Sequence, residues 1–570
     1  MTFSLAILSW QVLTSCSSNA NSASRGIASI EEYKKLRQEK LNHPRPLIYD
    51  NDGNDVIREE FPIDTMFYVY PRNAPYNVQT FLDARTTPLK GSDVTAIAYC
   101  TLASGFGVYT HNTKVGTFFQ GDPNNVFPDT PTTFPIRTVI QDMLKDNTDA
   151  LKVICDYAHE NQMEVFWSNR MNDTHDRVWD GPNKPSPLWS KFKQDHPEYL
   201  FSTLGKDPPF GAWSAVDFAQ PEIRDLTVKF FAEVCENYDI DGIELDFFRH
   251  LHLFKSVAFG ENATTEQINA LTDMITKIRK STEEIGMRKG KPILVAVRVP
   301  DSFEYNRGIG IDLEKWMKGG LIDMIIGSCY FRLNPWEKLV KAGHDNNVKV
   351  YAGISESRIQ KEHPLLPRKK AITFRARTAA AWQAGVDGLY SFDEYNADAA
   401  YLSQIGNAEK LKNTSKLYFV TDVCPPKTQW NGPWGYLKDG GKYYNLPILT
   451  PENPVALDKD LNFPMELGDE SAPAKVALLV YSKNLNAKNL KATLNDRNLD
   501  FVKTADSGLS MFTVPADAVK PRNNNLKLTS SPQSKRGSVA PLLEDVALFF
   551  YRESDDAETK KLAAFCFDSK

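Results

Sequence analysis

No two of the seven cysteines stand at CxxC spacing, and none pairs with a nearby histidine at metal-ligand spacing. That pattern excludes a zinc ribbon and a dithiol redox motif. Cys155 and Cys235 lie in apolar helical patterns and Cys329 follows a strand-like run, so they read as buried inert thiols. Positive charge is not in excess: 67 Lys+Arg face 72 Asp+Glu, for a formal charge of -5. A nucleic-acid binder that grips phosphates by net charge is thereby excluded. The stretch after the run MFYVY reads YPRNAPYN, without a glycine, so the phosphate turn of a doubly wound dinucleotide-binding sheet is missing. What is present is 570 residues, 42% hydrophobic and 24% charged, enough for a large barrel and an accessory domain and too polar for a membrane-spanning chain. The aromatic share of 11% suits stacking on sugar faces as well as an ordinary large core.

The segment MTFSLAILSWQVLTSCSSNANSASRG joins a short apolar run to Leu13-Thr14-Ser15-Cys16 and a Ser/Asn/Ala tether. It resembles a bacterial lipoprotein signal, with cleavage before Cys16 and lipid attached to it; a plain secretory signal is the alternative. Both readings place the protein outside the cytoplasm, as an outer-membrane or cell-surface lipoprotein or in the periplasm. A lipid anchor would be its only membrane contact.

From 65 to about 400, short apolar runs alternate with amphipathic segments: MFYVY (66–70), VTAIAYC (94–100), EVFWS (164–168), DGIELDF (241–247), ILVAV (293–297), DMIIGS (323–328), VYAGI (350–354) and DGLYSF (387–392). Between them, 221–238 carries Pro221 at a first helical position, and 265–285 carries Thr264 and Gln267 as a capping box with Gly286 as its stop. Eight strand–helix units imply a (β/α)8 TIM barrel, expected over 61–410 after a tether and extension at 17–60. Beyond a linker at 411–445, dense in aromatics and Gly and expected to fill the seam, runs such as KVALLVYS and VALFFYRE predict a C-terminal antiparallel β-sandwich at 446–570. The long connections 101–135 and 169–219 belong to the barrel's catalytic face and would wall a substrate cleft.

In strand 241–247 the alternation sends Ile243, Leu245 and Phe247 one way and Glu244 and Asp246 the other, into the barrel. An inward carboxylate is costly unless paired or at work; the structural alternative is an ion pair with Arg249, His250 or Arg298. Glycosidic chemistry needs a second carboxyl group. Glu304 and Asp301 after the fifth strand, Glu356 after the seventh, and Asp393 and Glu394 after the eighth all stand at strand ends. Glu304 and Glu356 rank together, then Asp301. The third strand ends in FWSNRMNDTHD, a dense polar cluster in which Trp167, Arg170, Asn172, His175 and Asp176 are candidates for substrate binding, with Arg170 and Asn172 suited to hydroxyls, a carboxylate or a sulfate. His175 with Asp176 does not complete a metal site. Arg298, Tyr330, Arg332 and Asp393 complete the cleft candidates.

The block SAVDFAQPEIRDLTVKFFAEVCENYDIDGIELDFFRH (214–250), preceded by HPEYLFS, resembles the glycosyl hydrolase-like family ten proteins. GIDLEKWMKGGLIDMIIGSCYF (310–331) and VKVYAGIS (348–355) fit the same family, and the likeness covers about 65–400. The resemblance implies a TIM-type barrel that hydrolyses glycosidic bonds outside the cytoplasm. The strand is also similar to the fourth strand of the alpha-amylase superfamily, whose terminal aspartate nucleophile maps onto Asp246; the superfamily's acid maps near Glu304. The family's usual strand has His at the position of Glu244 and a second Asp at Phe247, so the roles within the acidic pair stay open.

Together these features predict an exported retaining glycoside hydrolase acting on a polysaccharide, with Asp246 as nucleophile, Glu304 or Glu356 as acid/base, and no cofactor. Two rivals remain: a glycan-binding lipoprotein on a barrel without catalysis, and a polysaccharide lyase, which needs a Tyr or His base and yields ultraviolet-absorbing products.

Overall fold

The computed structural model describes residues 26–59, 77–102, 105–119, 136–177, 186, 188–328, 330–355, 358–392, 394, 400–423, 432–485, 487–530, 541–553 and 556–568. Eight parallel strands close into a barrel: β1 (Leu47–Asn51), β2 (Val94–Cys100), β3 (Glu164–Arg170), β4 (Gly242–Asp246), β5 (Leu294–Val299), β6 (Met324–Gly327), β7 (Lys349–Ile354) and β8 (Gly388–Ser391). Each strand pairs with its successor and β8 pairs with β1. Short strands followed by helices leave only this right-handed winding with its helices outside.

The first strand corrects one expectation. It comes from LIYDN at 47–51, inside the stretch read as an extension, while MFYVY at 66–70 lies outside the described residues. The helix Ile30–Leu41 before it docks on the barrel: the Tyr33 hydroxyl donates to the carbonyl of Thr282 (3.3 Å) and accepts from Ile293 N (3.0 Å). That contact explains a second difference. The helix begun by the Thr264–Gln267 capping box runs on through Gly286 to Lys289 and stops at Gly290, in a left-handed conformation (φ 73°). A Cβ at Gly286 would lie 2.7 Å from the Tyr33 ring, so its glycine serves close packing instead.

The amino ends of three of the four even strands share one device. Asp241, Asp323 and Asp387 stand just before β4, β6 and β8 and accept the backbone N–H of Val165, Val295 and Val350 on the preceding strand, at 3.0, 2.7 and 2.9 Å. Basic partners neutralise each: Lys40 and His159 on Asp241, Arg279 on Asp323, and His344 and Lys349 on Asp387. Charge here ties helices to the floor of the barrel.

The C-terminal domain is one antiparallel sheet that folds over on itself. Eight of its nine strands are β9 (Lys416–Phe419), β10 (Leu461–Glu466), β11 (Lys475–Lys483), β12 (Leu490–Leu494), β13 (Arg497–Thr504), β14 (Leu509–Thr513), β15 (Asn523–Ser530) and β16 (Leu542–Tyr551), in the order β9-β16-β11-β14-β13-β12-β15-β10, and the short strand Val455–Ala456 pairs with β16 off this path. The alternation in KVALLVYS serves both faces: Leu478 and Val480 enter the core enclosed by the folded sheet, while Ala477 and Leu479 pack beneath helix Ala557–Phe567. Since β9 starts at Lys416, the sheet begins inside the expected linker. The later part of that linker packs on the barrel: Tyr436 and Leu437 join the barrel core, and the Tyr305 hydroxyl donates to Pro433 O (2.9 Å). The helix Ala371–Gln383 is buried on nearly every side between the two domains, and Arg368 pins the seam through Asp545 (2.6 Å). Among the described residues no helix is long and apolar enough to cross a membrane.

Candidate active site

Strand register assembles the carboxyl face. Arg170 on β3, Asp246 on β4 and Arg298 on β5 are direct cross-strand partners, so alternation turns all three inward in one row. Both oxygens of Asp246 are held. One accepts the backbone N–H groups of Phe248 and Arg249 (2.9 Å each) and Arg298 Nε (3.1 Å), and the other accepts Arg298 Nη2. The Asp246 side chain has no exposed surface. Glu244, one layer deeper, sits 3.3 Å from Arg298 Nε.

The Tyr390 hydroxyl on β8 lies 3.0 and 3.1 Å from the two oxygens of Glu244 and 2.8 Å from Asp50 on β1. One phenolic proton cannot serve two carboxylates, so one of the two acids must carry a proton of its own. Electrostatics agree. Burial pushes Asp50 up to about 6 against the pull of Arg298 and Arg170. Burial also raises Glu244, with Arg298 opposing and Asp246 and Asp50 adding to the rise. Asp52 behaves oppositely: burial would raise it, but Arg85 (2.5 Å), Arg170 and Arg249 together hold it below the usual carboxylate range. Acids two residues apart at the carboxyl end of β1 are thus driven in opposite directions, an arrangement found where proton transfer is at work.

A second row lies along the loop after β3. Asp173 binds Arg170 Nη1 (3.1 Å) and His175 Nδ1 (2.8 Å), and His175 Nε2 accepts from Arg249 Nη2 (3.0 Å). Burial opposes the Asp173 charge, yet His175 and Arg170 hold its carboxyl well below the usual range. The ring of Arg249 neighbours is aromatic: its guanidinium lies 5.4 Å from the Tyr330 ring and 5.8 Å from Phe392, and Arg298 lies 4.2 Å from Phe392.

Asp173, His175 and His250 bring three potential ligand atoms within 4.8 Å of one another. Their hydrogen bonds oppose a cation. His250 Nδ1 accepts Thr174 N (3.1 Å), which leaves its ring proton on Nε2, and His175 accepts from a guanidinium at the nitrogen where a metal-bound ring would donate to an acceptor. We read the cluster as a hydrogen-bonded relay.

The remaining sequence candidates divide clearly. Trp167 points outward, 5.2 Å from Phe231, with its Nε1 donating to Thr101 Oγ1 (3.1 Å); it is core, and the strand's alternation explains why. Asn172 staples two loops through Val216 and His252, and Asp176 is buried against Lys193 and Ser214 (2.6 Å each). Asp301 accepts Leu333 N (2.9 Å) and Asn334 N (2.8 Å) and shapes a turn, with burial pushing it up to about 6. Glu304 is exposed on the first turn of helix Phe303–Ile309, bonded by Ser302 Oγ (3.1 Å), apart from the buried acids. Arg332 faces the domain seam, paired with Glu466 (2.6 Å) beside a cavity of about 400 Å³. Glu356, Asp393 and Cys16 lie outside the described residues. Asp50, Asp52, Arg85 and Tyr390 were not singled out from sequence, although LIYDND repeats the apolar-run-then-acid pattern of DGIELD.

No protein-family model matches the chain, and no curated protein matches it. Solved structures align with it. The cycloisomaltooligosaccharide glucanotransferase of Paenibacillus sp. aligns over 88% of this chain and 57% of its own, at 10% identity and a TM-score of 0.31. The GH36 alpha-galactosidase AgaA of Geobacillus stearothermophilus covers 88% of this chain and 58% of its own, at 11% and 0.33. The PgaB (BpsB) glycoside hydrolase domain of Bordetella bronchiseptica covers 64% and 98%, at 10% and 0.36. The chain therefore spans less than three fifths of the length of the first two. Scores this low carry no argument about residue roles or substrate.

Proposed function

We propose that the chain is an exported glycoside hydrolase that cleaves a polysaccharide by a retaining two-carboxylate mechanism, with Asp246 as nucleophile. One observation carries the reading: the Arg170–Asp246–Arg298 row at the carboxyl ends of β3, β4 and β5, where barrel enzymes keep their chemistry. The resemblance of 214–250 to the glycosyl hydrolase-like family ten proteins supports it. Asp246 attacks the anomeric carbon, oriented by Arg298 and two backbone N–H groups; a second carboxyl group protonates the leaving oxygen and then deprotonates water. Glu304 and Glu356 remain the candidates for that role, which requires about 5–5.5 Å between the carboxyl groups. Export and the anchor at Cys16 rest on the apolar run and small residues of 1–16.

The enclosure of Asp246 favours a second reading, a glycan-binding lipoprotein in which Asp246 and Arg298 form a structural ion pair. Catalysis requires side chains around Asp246 to rearrange so that a sugar can reach it. Reducing-end release from bacterial, plant and algal polysaccharides, measured for wild type and Asp246→Asn, separates the two. The hydrolase reading expects turnover to fall by about 10³-fold or more, worth ~4 kcal/mol of transition-state stabilisation, with glycan binding kept. Turnover near normal in Asp246→Asn removes the nucleophile; glycan binding without release of reducing ends supports the second reading.

A further inference from the structure

Five guanidinium groups, Arg85, Arg170, Arg249, Arg298 and Arg332, stand at or beside the strand ends, and four have a carboxylate partner among the described residues. Arg85 pairs with Asp52, Arg170 with Asp173, Arg298 with Asp246 and Arg332 with Glu466. Arg249 has no carboxylate within 4 Å among the described residues; its side chain makes one hydrogen bond, to His175 Nε2 (3.0 Å). Among the described residues its Nε–H is buried without a partner. A buried donor left without a hydrogen bond is costly, the more so on a charged group, and a native structure that keeps one calls for an explanation.

The surroundings hold this cation in place. The Arg249 backbone N–H is fixed by Asp246 Oδ1 (2.9 Å), and its guanidinium lies near the Tyr330 and Phe392 rings. Its charge reaches Asp52, helping to keep that acid ionised, and His250, whose proton affinity is lowered by burial first and by His175 and Arg249 among the nearby charges. The neighbouring His175 side chain is 37% exposed, so this part of the face is open to a ligand. The Arg358 guanidinium lies 4.7 Å from the same Tyr330 ring.

We propose that Arg249 binds an anionic group of the substrate, a carboxylate or sulfate ester on the sugar next to Asp246, so that the preferred glycans are acidic. The assignment rests on reading this face as a sugar site. A guanidinium is suited to it, because its planar donors match both anions and its charge is permanent. Arg170, the candidate from sequence, is already committed to Asp173 and Asp52.

The test uses the full chain and Arg249→Gln, with Arg249→Lys as the charge-preserving control. Binding and turnover are measured on polygalacturonate and alginate as carboxylates, carrageenan as a sulfate ester, and laminarin and galactomannan as neutral polymers. The expected result is tighter binding of an acidic polymer, weakened at least tenfold in Arg249→Gln and partly restored in Arg249→Lys, with a clearly smaller loss on the neutral polymers. The carboxylate and sulfate arms tell which anion is bound. Preference of wild type for a neutral polymer, failure of every acidic polymer to bind, or equal affinity in Arg249→Gln overturns the inference. Recording both reducing ends and ultraviolet-absorbing products keeps the two proposals apart: unsaturated products would refute hydrolysis while leaving an Arg249-dependent acidic preference standing.

Discussion

Strand β4 carries an aspartate at each end, and the two have opposite circumstances. Asp241, before the strand, accepts a backbone N–H from β3 and is surrounded by Lys40, His159 and Lys291. Burial opposes its charge, but His159 and the two lysines hold its carboxyl well below the usual range, and the same device recurs before β6 and β8. Asp246, after the strand, shares one buried guanidinium with Glu244, while Asp50 nearby is pushed up to about 6 by burial. The floor matches cations to anions and gains stability. The mouth presses Glu244 and Asp246 onto one guanidinium while Arg249 meets no carboxylate among the described residues, and that mismatch is a burden a purely structural barrel end has no reason to keep.

If the contrast is real, the two ends respond differently to mutation. The largest effect should come from Arg298→Leu, which leaves Glu244 and Asp246 buried without their cation. Urea unfolding should show a loss of about 3–5 kcal/mol, and a midpoint equal to wild type would end the claim that this arginine compensates the pair. Asp241→Asn should cost less, about 1–3 kcal/mol, and leave polysaccharide turnover unchanged. A loss of turnover matching that of Asp246→Asn would erase the distinction between floor and mouth.

The smallest effects are in pH dependence. Hydrogen bonds that His159 donates to Asp239 and then to Asp241 raise it from 6.5 to about 9. A raised histidine stabilises the fold fully below pH 6.5 and loses that contribution as pH rises through 9. His159→Gln should flatten the alkaline limb of melting temperature against pH. Asp50 follows the same sign at lower pH: its folded value near 6 exceeds 3.8, so its contribution to stability is full below pH 3.8 and falls as pH rises from 3.8 to 6. Asp50→Asn should remove that fall; an unchanged acid limb would show that Asp50 is not a strained acid of the mouth.

Much of the barrel was legible because seven of its strands are apolar runs of ordinary length. β1 was not, since LIY is only three apolar residues before the polar DNDGND, and its burial comes from closing the ring between β8 and β2. Gly286 was a fair helix stop on local grounds, overruled by Tyr33 from 253 positions earlier in the chain. Alternation placed Glu244 and Asp246 inward, and applied to β3 it also predicts Trp167 opposite Arg170, hence outward. Asn172, Asp176 and Asp301 looked functional because polar residues at strand ends share one composition whether they bind ligand or brace loops. Only their partners distinguish these uses.

Sequence alone determined the alternation of strands and helices, the two-domain division and the inward direction of the acids on β4, all of which follow from periodicities within a few residues. Tertiary structure decided which cation meets which acid: Arg298 on Asp246, Arg170 on Asp173, and Arg249 on none among the described residues. Those pairings depend on register between strands and on loops meeting across the barrel mouth, distances over which local pattern carries no information and Coulomb forces in a buried site decide the outcome.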